Sequence, residues 1–257
     1  MKKIVFFDID GTLLDHEKQI PKRTKEAIYK LKENGIYVAI ATGRAPFMFR
    51  SLIEELEIET FVSFNGQYVV FENDVIYKNP LPTSEIEALL EEAKTKEHPV
   101  VFMNHQEMKG NIEHHTYIEE SMGSLKFDHP PYDPTYYQEN EIYQALLFCR
   151  EEEEEQYLQK YPNFKFVRWH PYSTDILPSG GSKAEGIKKL ISRLNFSMED
   201  VYAFGDGLND IEMLQSVGTG VAMGNAHPIV KKAANVVTKD VADDGIYEGL
   251  KMLNLID

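Results

Sequence analysis

Two aspartates separated by one residue follow the first apolar run of the chain. The run Ile4–Phe7 is typical of a short buried strand, and Asp8-Ile9-Asp10-Gly11-Thr12 comes directly after it. Because side chains alternate along an extended backbone, Asp8 and Asp10 begin on the same side, where like charges repel unless a cation or a proton lies between them. A carboxylate is also a suitable nucleophile for attack on phosphorus. A solvated Asp-Gly turn is the alternative interpretation of this stretch.

Thr42 and Lys183 are two further candidates because of the groups that lie beside them in the sequence. Thr42-Gly43-Arg44 follows a second apolar run, and a hydroxyl followed by glycine lets backbone N–H groups approach an anion at the start of a helix. Taken alone, this stretch is more simply interpreted as an ordinary strand-to-helix turn in which Thr42 caps the helix. Lys183 lies in the first turn of a predicted helix, Ser182–Leu194, that follows Gly180-Gly181. A cation there opposes the helix dipole, so the position is unfavourable without an anionic partner.

The stretch from Gly205 to Asp210 combines two carboxylates with an amide. Asp206, Asn209 and Asp210 fall within five residues, after the apolar run Val201–Phe204. Mg²⁺ prefers oxygen ligands and is usually held by one or two carboxylates together with phosphate oxygens and water. The alternative is a polar turn in which Asn209 or Asp210 caps the next helix.

The elements that must position these residues alternate along the chain. Strands are predicted at Ile4–Phe7, Ile36–Ala41, Phe61–Ser63, Val201–Phe204 and Gly220–Met223, with helices between them and a hairpin over Tyr68–Tyr77. This order predicts an α/β fold: a Rossmann-like, mainly parallel sheet with helices on both faces. Ligands of such sheets bind beyond the carboxyl ends of the strands, which is where Asp8 and Thr42 lie.

The composition changes between Leu81 and Pro178, where the chain is rich in His, Tyr, Pro and Glu. Predicted strands at Leu146–Cys149, Phe164–Trp169 and Asp175–Leu177 alternate polar with apolar residues, as in a half-exposed antiparallel sheet. We therefore predict two domains: a core formed by residues 1–80 and 179–257, and an inserted α+β domain formed by residues 81–178.

The composition excludes several classes of partner. The 257 residues carry a net charge of −15, which argues against nucleic acid and against an anionic membrane surface, since both are polyanions. The N-terminal apolar run of four residues is too short for a signal-peptide core or a membrane span. The single Cys149 excludes an internal disulfide and fits a reducing cytoplasm, where we expect the protein to reside.

Taken together, these residues resemble the haloacid dehalogenase-like (HAD) superfamily, and within it the Cof-type phosphatases. Asp8-Ile9-Asp10-Gly11-Thr12-Leu13 is similar to the first motif of the family, Ala41-Thr42-Gly43-Arg44 to the second, Lys183 to the third, and Gly205–Asp210 to the fourth. The insertion lies between the second and third motifs, in the place of the family's type-2 (C2B) cap. Ala184 departs from the pattern, since relatives often carry glycine after the lysine.

The resemblance implies an Mg²⁺-dependent phosphatase that acts on small phosphorylated metabolites: sugar phosphates, pyridoxal phosphate or flavin mononucleotide. It implies Asp8 as nucleophile, Asp10 as general acid and base, and an aspartyl-phosphate intermediate. The implied ligands of Mg²⁺ are Asp8, the Asp10 carbonyl, Asp206 and Asp210, the last directly or through water. The phosphate-binding groups that it implies are Asp8, Ile9, Thr42, Gly43, Lys183 and Asn209.

Several roles stay open at this point. Arg44 contacts the substrate or forms a structural salt bridge. Six histidines of the insertion suggest a second metal site but lack ligand spacing, so partly exposed surface residues are the simpler interpretation; they are His98, His105, His114, His115, His129 and His170. Four aromatic residues of the insertion either stack on a ring of the ligand or serve packing between the inserted domain and the core; they are Tyr132, Tyr136, Tyr137 and Trp169. A sugar phosphomutase of the same fold and a non-catalytic sensor of phosphorylated ligands are the alternative functions.

Overall fold

The computed structural model describes residues 2–257, which form two compact units. The first unit contains the segment that ends at Arg44, together with Phe49–Lys78 and Ser182–Asp257; the second contains Ala45–Met48 and Asn79–Gly181. The first part of the chain forms five strands and two helices. They are β1 (Ile4–Phe7), α1 (Lys22–Glu33), β2 (Tyr37–Ala41), α2 (Arg50–Leu56), β3 (Phe61–Ser63), β4 (Tyr68–Phe71) and β5 (Asp74–Lys78).

The middle of the chain forms the antiparallel sheet and the helices of the second unit. Its elements are α3 (Thr83–Thr95), β6 (Val100–Met103), β7 (Met108–Gly110), α4 (Thr116–Ser124), α5 (Tyr136–Glu139), β8 (Gln144–Leu147), α6 (Glu151–Lys160), β9 (Phe164–His170) and β10 (Ser173–Pro178). The strands lie in the order β7-β6-β8-β10-β9, and each neighbouring pair is antiparallel. One face of this sheet carries Phe102, Ala145 and Ile176, which pack in a core of their own with helix residues such as Leu89 and Tyr157.

The last part of the chain returns to the first unit. It forms α7 (Lys183–Leu194), β11 (Val201–Gly205), α8 (Ile211–Ser216), β12 (Thr219–Ala222), α9 (Pro228–Ala233), β13 (Val236–Val237) and α10 (Gly245–Met252). Helix α7 begins where the Ser182 hydroxyl accepts a hydrogen bond from the Glu185 amide at 3.2 Å, and it ends at Asn195, which is left-handed with a φ of 54°. Its buried face, which includes Ile187 and Leu190, follows helical spacing.

The first unit is built on an eight-stranded sheet in the order β13-β12-β11-β1-β2-β3-β4-β5. The pairs from β13 to β3 are parallel, and β4 and β5 add an antiparallel hairpin at one edge. Strand β1 lies in the middle and its four residues are fully buried. Because Phe7 pairs with Ile40 on one side and with Phe204 on the other, the three central strands end at the same level.

The predicted α/β class is confirmed, as is the combination of a mainly parallel sheet with a separate antiparallel one. The differences lie at the ends of elements and in short ones. A single helix is predicted over Pro46–Leu56, but Pro46–Phe49 form a 3-10 turn before α2. The predicted strand at Leu146–Cys149 is paired two residues earlier, at Gln144–Leu147. Cross-strand hydrogen bonds set such boundaries, and the local pattern does not contain them. Among residues 2–257, no helix has both the length and the apolar character that crossing a bilayer requires.

Candidate active site

The candidate site lies at the carboxyl ends of β1, β2 and β11, in the first unit. Asp8 follows β1, Thr42 follows β2 and Asp206 follows β11, so three segments that are far apart in sequence meet at one edge of the sheet. The amide of Asp8 donates to the Phe204 carbonyl at 3.0 Å, which continues the β1–β11 pairing past the end of β1. Polar residues are expected at this edge, because the strand ends leave backbone groups free to bind a ligand.

Lys183 lies between two buried carboxylates. Its Nζ atom is 2.5 Å from Asp8 Oδ1 and 2.7 Å from Asp210 Oδ1, and 1% of the Lys183 side chain is exposed. The first turn of α7 therefore places the cation against anionic partners, which offsets the unfavourable dipole position inferred from the sequence. A buried lysine without such partners would lose its proton or destabilise the fold.

Asp210 and Asp206 are fixed by the turn that follows β11. Oδ2 of Asp210 accepts hydrogen bonds from the amides of Asp206 (3.0 Å) and Gly207 (2.9 Å), while Oδ1 of Asp206 accepts one from the Thr12 hydroxyl at 2.8 Å. Thr12 is a contact that the sequence reasoning did not assign, although it lies in the first motif. These bonds orient the Asp206 and Asp210 carboxylates before any ligand is bound.

Two glycines allow the carboxylates to approach the backbone this closely. A Cβ atom on Gly11 would lie 2.3 Å from Asp206 Oδ2, and one on Gly205 would lie 2.6 Å from Asp210 Cγ. Gly11 also has a φ of 77°, in the left-handed region that favours glycine. Any side chain at either position would displace a carboxylate of the site.

The pKa values of the carboxylates reflect burial and mutual repulsion. Burial raises the pKa of Asp8 to about 7, with a further contribution from the Asp210 charge, and the attraction of Lys183 offsets only part of this rise. Burial likewise raises the pKa of Asp206 to about 6. Burial lowers the pKa of Lys183, but the charges of Asp210 and Asp8 outweigh it and hold that pKa above its usual range.

The donor set fits a hard divalent cation. Among residues 2–257, one group of metal-ligating side chains is close enough to share an ion: oxygens of Asp8, Asp206 and Asp210 lie within 4.8 Å of one another. An all-oxygen carboxylate set suits Mg²⁺, Ca²⁺ or Mn²⁺ rather than a softer metal. A bound cation would offset the mutual repulsion of these carboxylates.

Asp10 has cationic partners of its own. Arg44 donates to Asp10 Oδ2 through Nε at 2.8 Å and to Asp10 Oδ1 through a terminal nitrogen at 2.6 Å, and Lys18 Nζ is also 2.6 Å from Oδ1. Burial raises the pKa of Asp10, but these two cations outweigh it and hold the pKa below its ordinary value. The sequence left Arg44 with two possible roles, a substrate contact and a structural salt bridge. The structure shows the salt bridge, with Asp10. Lys18 was missed, because an isolated lysine in a turn carries no signal.

The other predicted phosphate-binding residues lie in the surrounding loops. Ile9 is fully buried. Thr42 is also buried and follows β2, where its hydroxyl accepts a hydrogen bond from the Arg44 amide at 3.1 Å. Gly43 lies against Asn65, whose Nδ2 would be 3.0 Å from an added Cβ atom. Asn209 is exposed in the 3-10 turn before α8. The structure thus brings Asp8, Lys183, Asp206 and Asp210 into direct contact or close proximity, with the remaining residues on adjoining loops.

Several histidines and tyrosines of the second unit contact other residues of that unit. His98 Nδ1 lies 2.9 Å from the Tyr157 hydroxyl, and the rings of His114 and His129 stack at 5.7 Å. Tyr136 and Tyr137 are buried in the core of this unit, whereas 52% of Tyr132 is exposed.

The chain resembles known proteins over nearly its whole length. The family model of haloacid dehalogenase-like hydrolases matches residues 5–250. The Bacillus subtilis (strain 168) protein named "Putative phosphatase YkrA" is 54% identical over 254 residues, which cover 99% of this chain and 98% of YkrA.

Two solved structures share the fold of both units. A crystal structure of a hypothetical protein from Geobacillus kaustophilus HTA426 has a TM-score of 0.98 and 62% identity, and the match covers 100% of each chain. The HAD subclass IIB sugar phosphatase BT4131 has a TM-score of 0.83 and 32% identity, with 99% of this chain and 100% of BT4131 covered. The four motifs, the fold that carries them and these matches lead to one conclusion: the chain belongs to the haloacid dehalogenase-like hydrolase family.

Proposed function

We propose that this protein is a phosphatase that hydrolyses small phosphorylated metabolites through an aspartyl-phosphate formed on Asp8. The observation that carries the proposal is the buried contact of Lys183 with both Asp8 and Asp210, beside a cluster of carboxylate oxygens at the carboxyl end of β1. Burial of a lysine costs folding free energy. Its position beside the nucleophile lets its charge stabilise the anionic, pentacoordinate transition state of phosphoryl transfer. The name of YkrA, which is 54% identical to this chain, describes it as a phosphatase, and this supports phosphate-ester hydrolysis as the reaction.

The first step transfers the phosphoryl group to Asp8. A carboxylate oxygen of Asp8 forms a bond to phosphorus while the bond from phosphorus to the leaving oxygen breaks, and Asp10 gives a proton to that oxygen. Arg44 and Lys18 favour the ionised form of Asp10 in the free protein, so the proton that it gives is taken up with the substrate, whose phosphate dianion favours the protonated form. In the second step a water attacks the phosphorus of the aspartyl-phosphate and passes a proton to Asp10. The acyl-phosphate bond breaks and inorganic phosphate leaves, so Asp8 is again a carboxylate and Asp10 is again protonated.

The remaining residues bind and neutralise the phosphoryl group. Lys183, the Thr42 hydroxyl, the amides of Ile9 and Gly43, and Asn209 are the groups that we assign to its oxygens. Asp8, the Asp10 carbonyl and Asp206 would hold Mg²⁺, with Asp210 through water, since both Asp210 oxygens already accept hydrogen bonds from protein groups. When bound, Mg²⁺ supplies positive charge that offsets the repulsion between these carboxylates and a phosphate dianion.

We assign residues 1–80 and 179–257 to the catalytic core and residues 81–178 to a cap that selects the substrate. The substrates that we propose are sugar phosphates, pyridoxal phosphate and flavin mononucleotide; the description of BT4131 as a sugar phosphatase supports the first of these. The single, buried Cys149 supports a cytoplasmic location, because a structural disulfide is not available to the chain.

Phosphate release from a panel of these compounds tests the proposal. The wild-type protein is assayed with Mg²⁺ and with a chelator, beside Asp8→Asn and beside Asp243→Asn, an exposed aspartate of the same unit that serves as the matched control. We expect turnover by the wild type and by the control, and loss of at least about a thousandfold in Asp8→Asn and in chelator. Isomerised sugar phosphate without phosphate release would instead support a mutase, and binding without either reaction would support a sensor.

A further inference from the structure

Arg44 and Lys18 both bind the carboxylate of Asp10, the proposed acid and base. We call this pair of cations the Asp10 clamp. Both Asp10 oxygens are engaged, because Arg44 contributes two nitrogens in a fork and Lys18 adds a third contact, all at 2.6 to 2.8 Å. A planar guanidinium that binds both oxygens fixes the plane of a carboxylate as well as its position. The Asp10 side chain is 42% exposed and would otherwise be free to change rotamer.

The Arg44 side of the clamp is anchored through its backbone. The Arg44 amide donates to the Thr42 hydroxyl at 3.1 Å, and the Arg44 carbonyl accepts a hydrogen bond from the Phe64 amide at 3.2 Å. The guanidinium therefore projects from a segment that is fixed on both sides, and 28% of its side chain is exposed.

The Lys18 side is anchored by a tight turn. Lys18 has a φ of 62°, and its amide donates to the Asp15 carbonyl at 3.0 Å. Oδ1 of Asp15 accepts hydrogen bonds from the amides of Glu17 and Gln19, each at 2.9 Å. A lysine in the left-handed region is strained, and Asp15 supplies the hydrogen bonds that hold it there.

We infer that Arg44 and Lys18 are positioning residues that hold Asp10 in the orientation it needs as the base of the second step. This inference rests on the proposed function. In that step the Asp10 oxygen must face the attacking water, and a carboxylate turned away would leave the aspartyl-phosphate intact. The first step depends less on Asp10 when the leaving group is a stable anion. Loss of the clamp should therefore trap the covalent intermediate, whereas general damage to the fold should slow both steps.

The test is pre-steady-state kinetics with p-nitrophenyl phosphate and Mg²⁺ on the full chain. Nitrophenolate leaves without help from an acid, so its release reports formation of the aspartyl-phosphate, while steady-state turnover reports its hydrolysis. For Arg44→Met we expect kcat to fall by about 10- to 100-fold. KM should fall as well, and a burst that approaches one nitrophenolate per protein should appear. Hydroxylamine, which cleaves acyl phosphates, should shorten the life of the trapped species.

The graded variants make the test specific. Arg44→Lys keeps the charge without the fork and should recover part of kcat and lose part of the burst, while Lys18→Met should have a smaller effect than Arg44→Met. Arg23→Met and Lys25→Met are the controls, since these residues form surface ion pairs of the same unit with Asp244 at 3.2 Å and with Glu55 at 3.0 Å. Neither control should change kcat or the burst.

Two results would overturn the clamp. An Arg44→Met protein that keeps wild-type kcat would show that Asp10 needs no positioning. A protein that loses kcat without a burst and with a raised KM would place Arg44 on the substrate instead. Failure of the proposed function looks different: in that case nitrophenolate release would be absent from the wild type or would survive Asp8→Asn, whatever the Arg44 variants do.

Discussion

Replacement of Asp8 by asparagine should stabilise the first unit at alkaline pH while it abolishes the proposed reaction. In the absence of metal, burial and the charges of Asp210 and Asp206 raise the pKa of Asp8 from 3.8 to about 7, in spite of Lys183. At about 1.4 kcal/mol per pKa unit, this rise corresponds to about 4 kcal/mol of destabilisation when the carboxylate is ionised. The Asp8 residue is 7% exposed, so solvent screening reduces this cost little.

The pH dependence has a definite sign. A carboxyl group with a raised pKa binds more protons in the folded state than in the unfolded state, so the free energy of unfolding falls as the pH rises through the interval between the two pKa values. Asparagine does not titrate and escapes this loss. The advantage of Asp8→Asn should therefore be small near pH 4 and should grow by about 2 to 3 kcal/mol between pH 5 and pH 8.

Urea unfolding in chelator measures this difference. Circular dichroism is the appropriate signal, since the single Trp169 lies in the second unit and its fluorescence reports that unit. Asp243→Asn, which removes an exposed carboxylate of the first unit, should change the free energy of unfolding by less than about 0.5 kcal/mol at either pH. Two results would refute the argument from burial: an Asp8→Asn protein that is less stable than the wild type at pH 8, or a difference in unfolding free energy that is the same at pH 5 and at pH 8.

Three other changes have clear expected outcomes. Mg²⁺ at about 100 times its dissociation constant should raise the unfolding free energy of the wild type by about 2.7 kcal/mol, and Asp206→Asn should abolish most of this gain in a titration followed by melting temperature. Gly186→Ala should destabilise by about 1 to 3 kcal/mol in urea although alanine favours helix, because the new Cβ would lie 2.5 Å from Val62 Cγ1; a gain in stability would contradict the packing. Glu154→Ala should lower the free energy of unfolding of the second unit by about 3 kcal/mol, measured by Trp169 fluorescence. In the wild type the mostly buried Arg168 lies 2.5 Å from the Glu154 carboxylate, and the variant removes this partner.

Local patterns in the sequence were sufficient for the central strands and the motifs that follow them. The strands β1 and β3 have the predicted bounds, because a buried parallel strand is a run of apolar residues that ends at a polar turn. The helix α7 was predicted one residue early, with Ser182 as its first residue rather than its cap. Other elements were not predicted, among them β6, α4 and α10, although the buried residues of α10 follow helical spacing and β6 is a short apolar run.

The sequence by itself determined which chemistry is available to this protein. The aspartates, the lysine and the glycine-rich turns stand at strand and helix ends that periodicity alone can locate, and the order of the four motifs specifies the family. Only the tertiary structure decided how these groups are paired: Lys183 lies between Asp8 and Asp210, Thr12 holds Asp206, and Asp10 is bound by Arg44 and Lys18. Hydrogen bonds and ion pairs between side chains join residues that are as many as 221 positions apart in the chain, and burial then sets their strength. Neither can be worked out from the spacing of residues in the sequence.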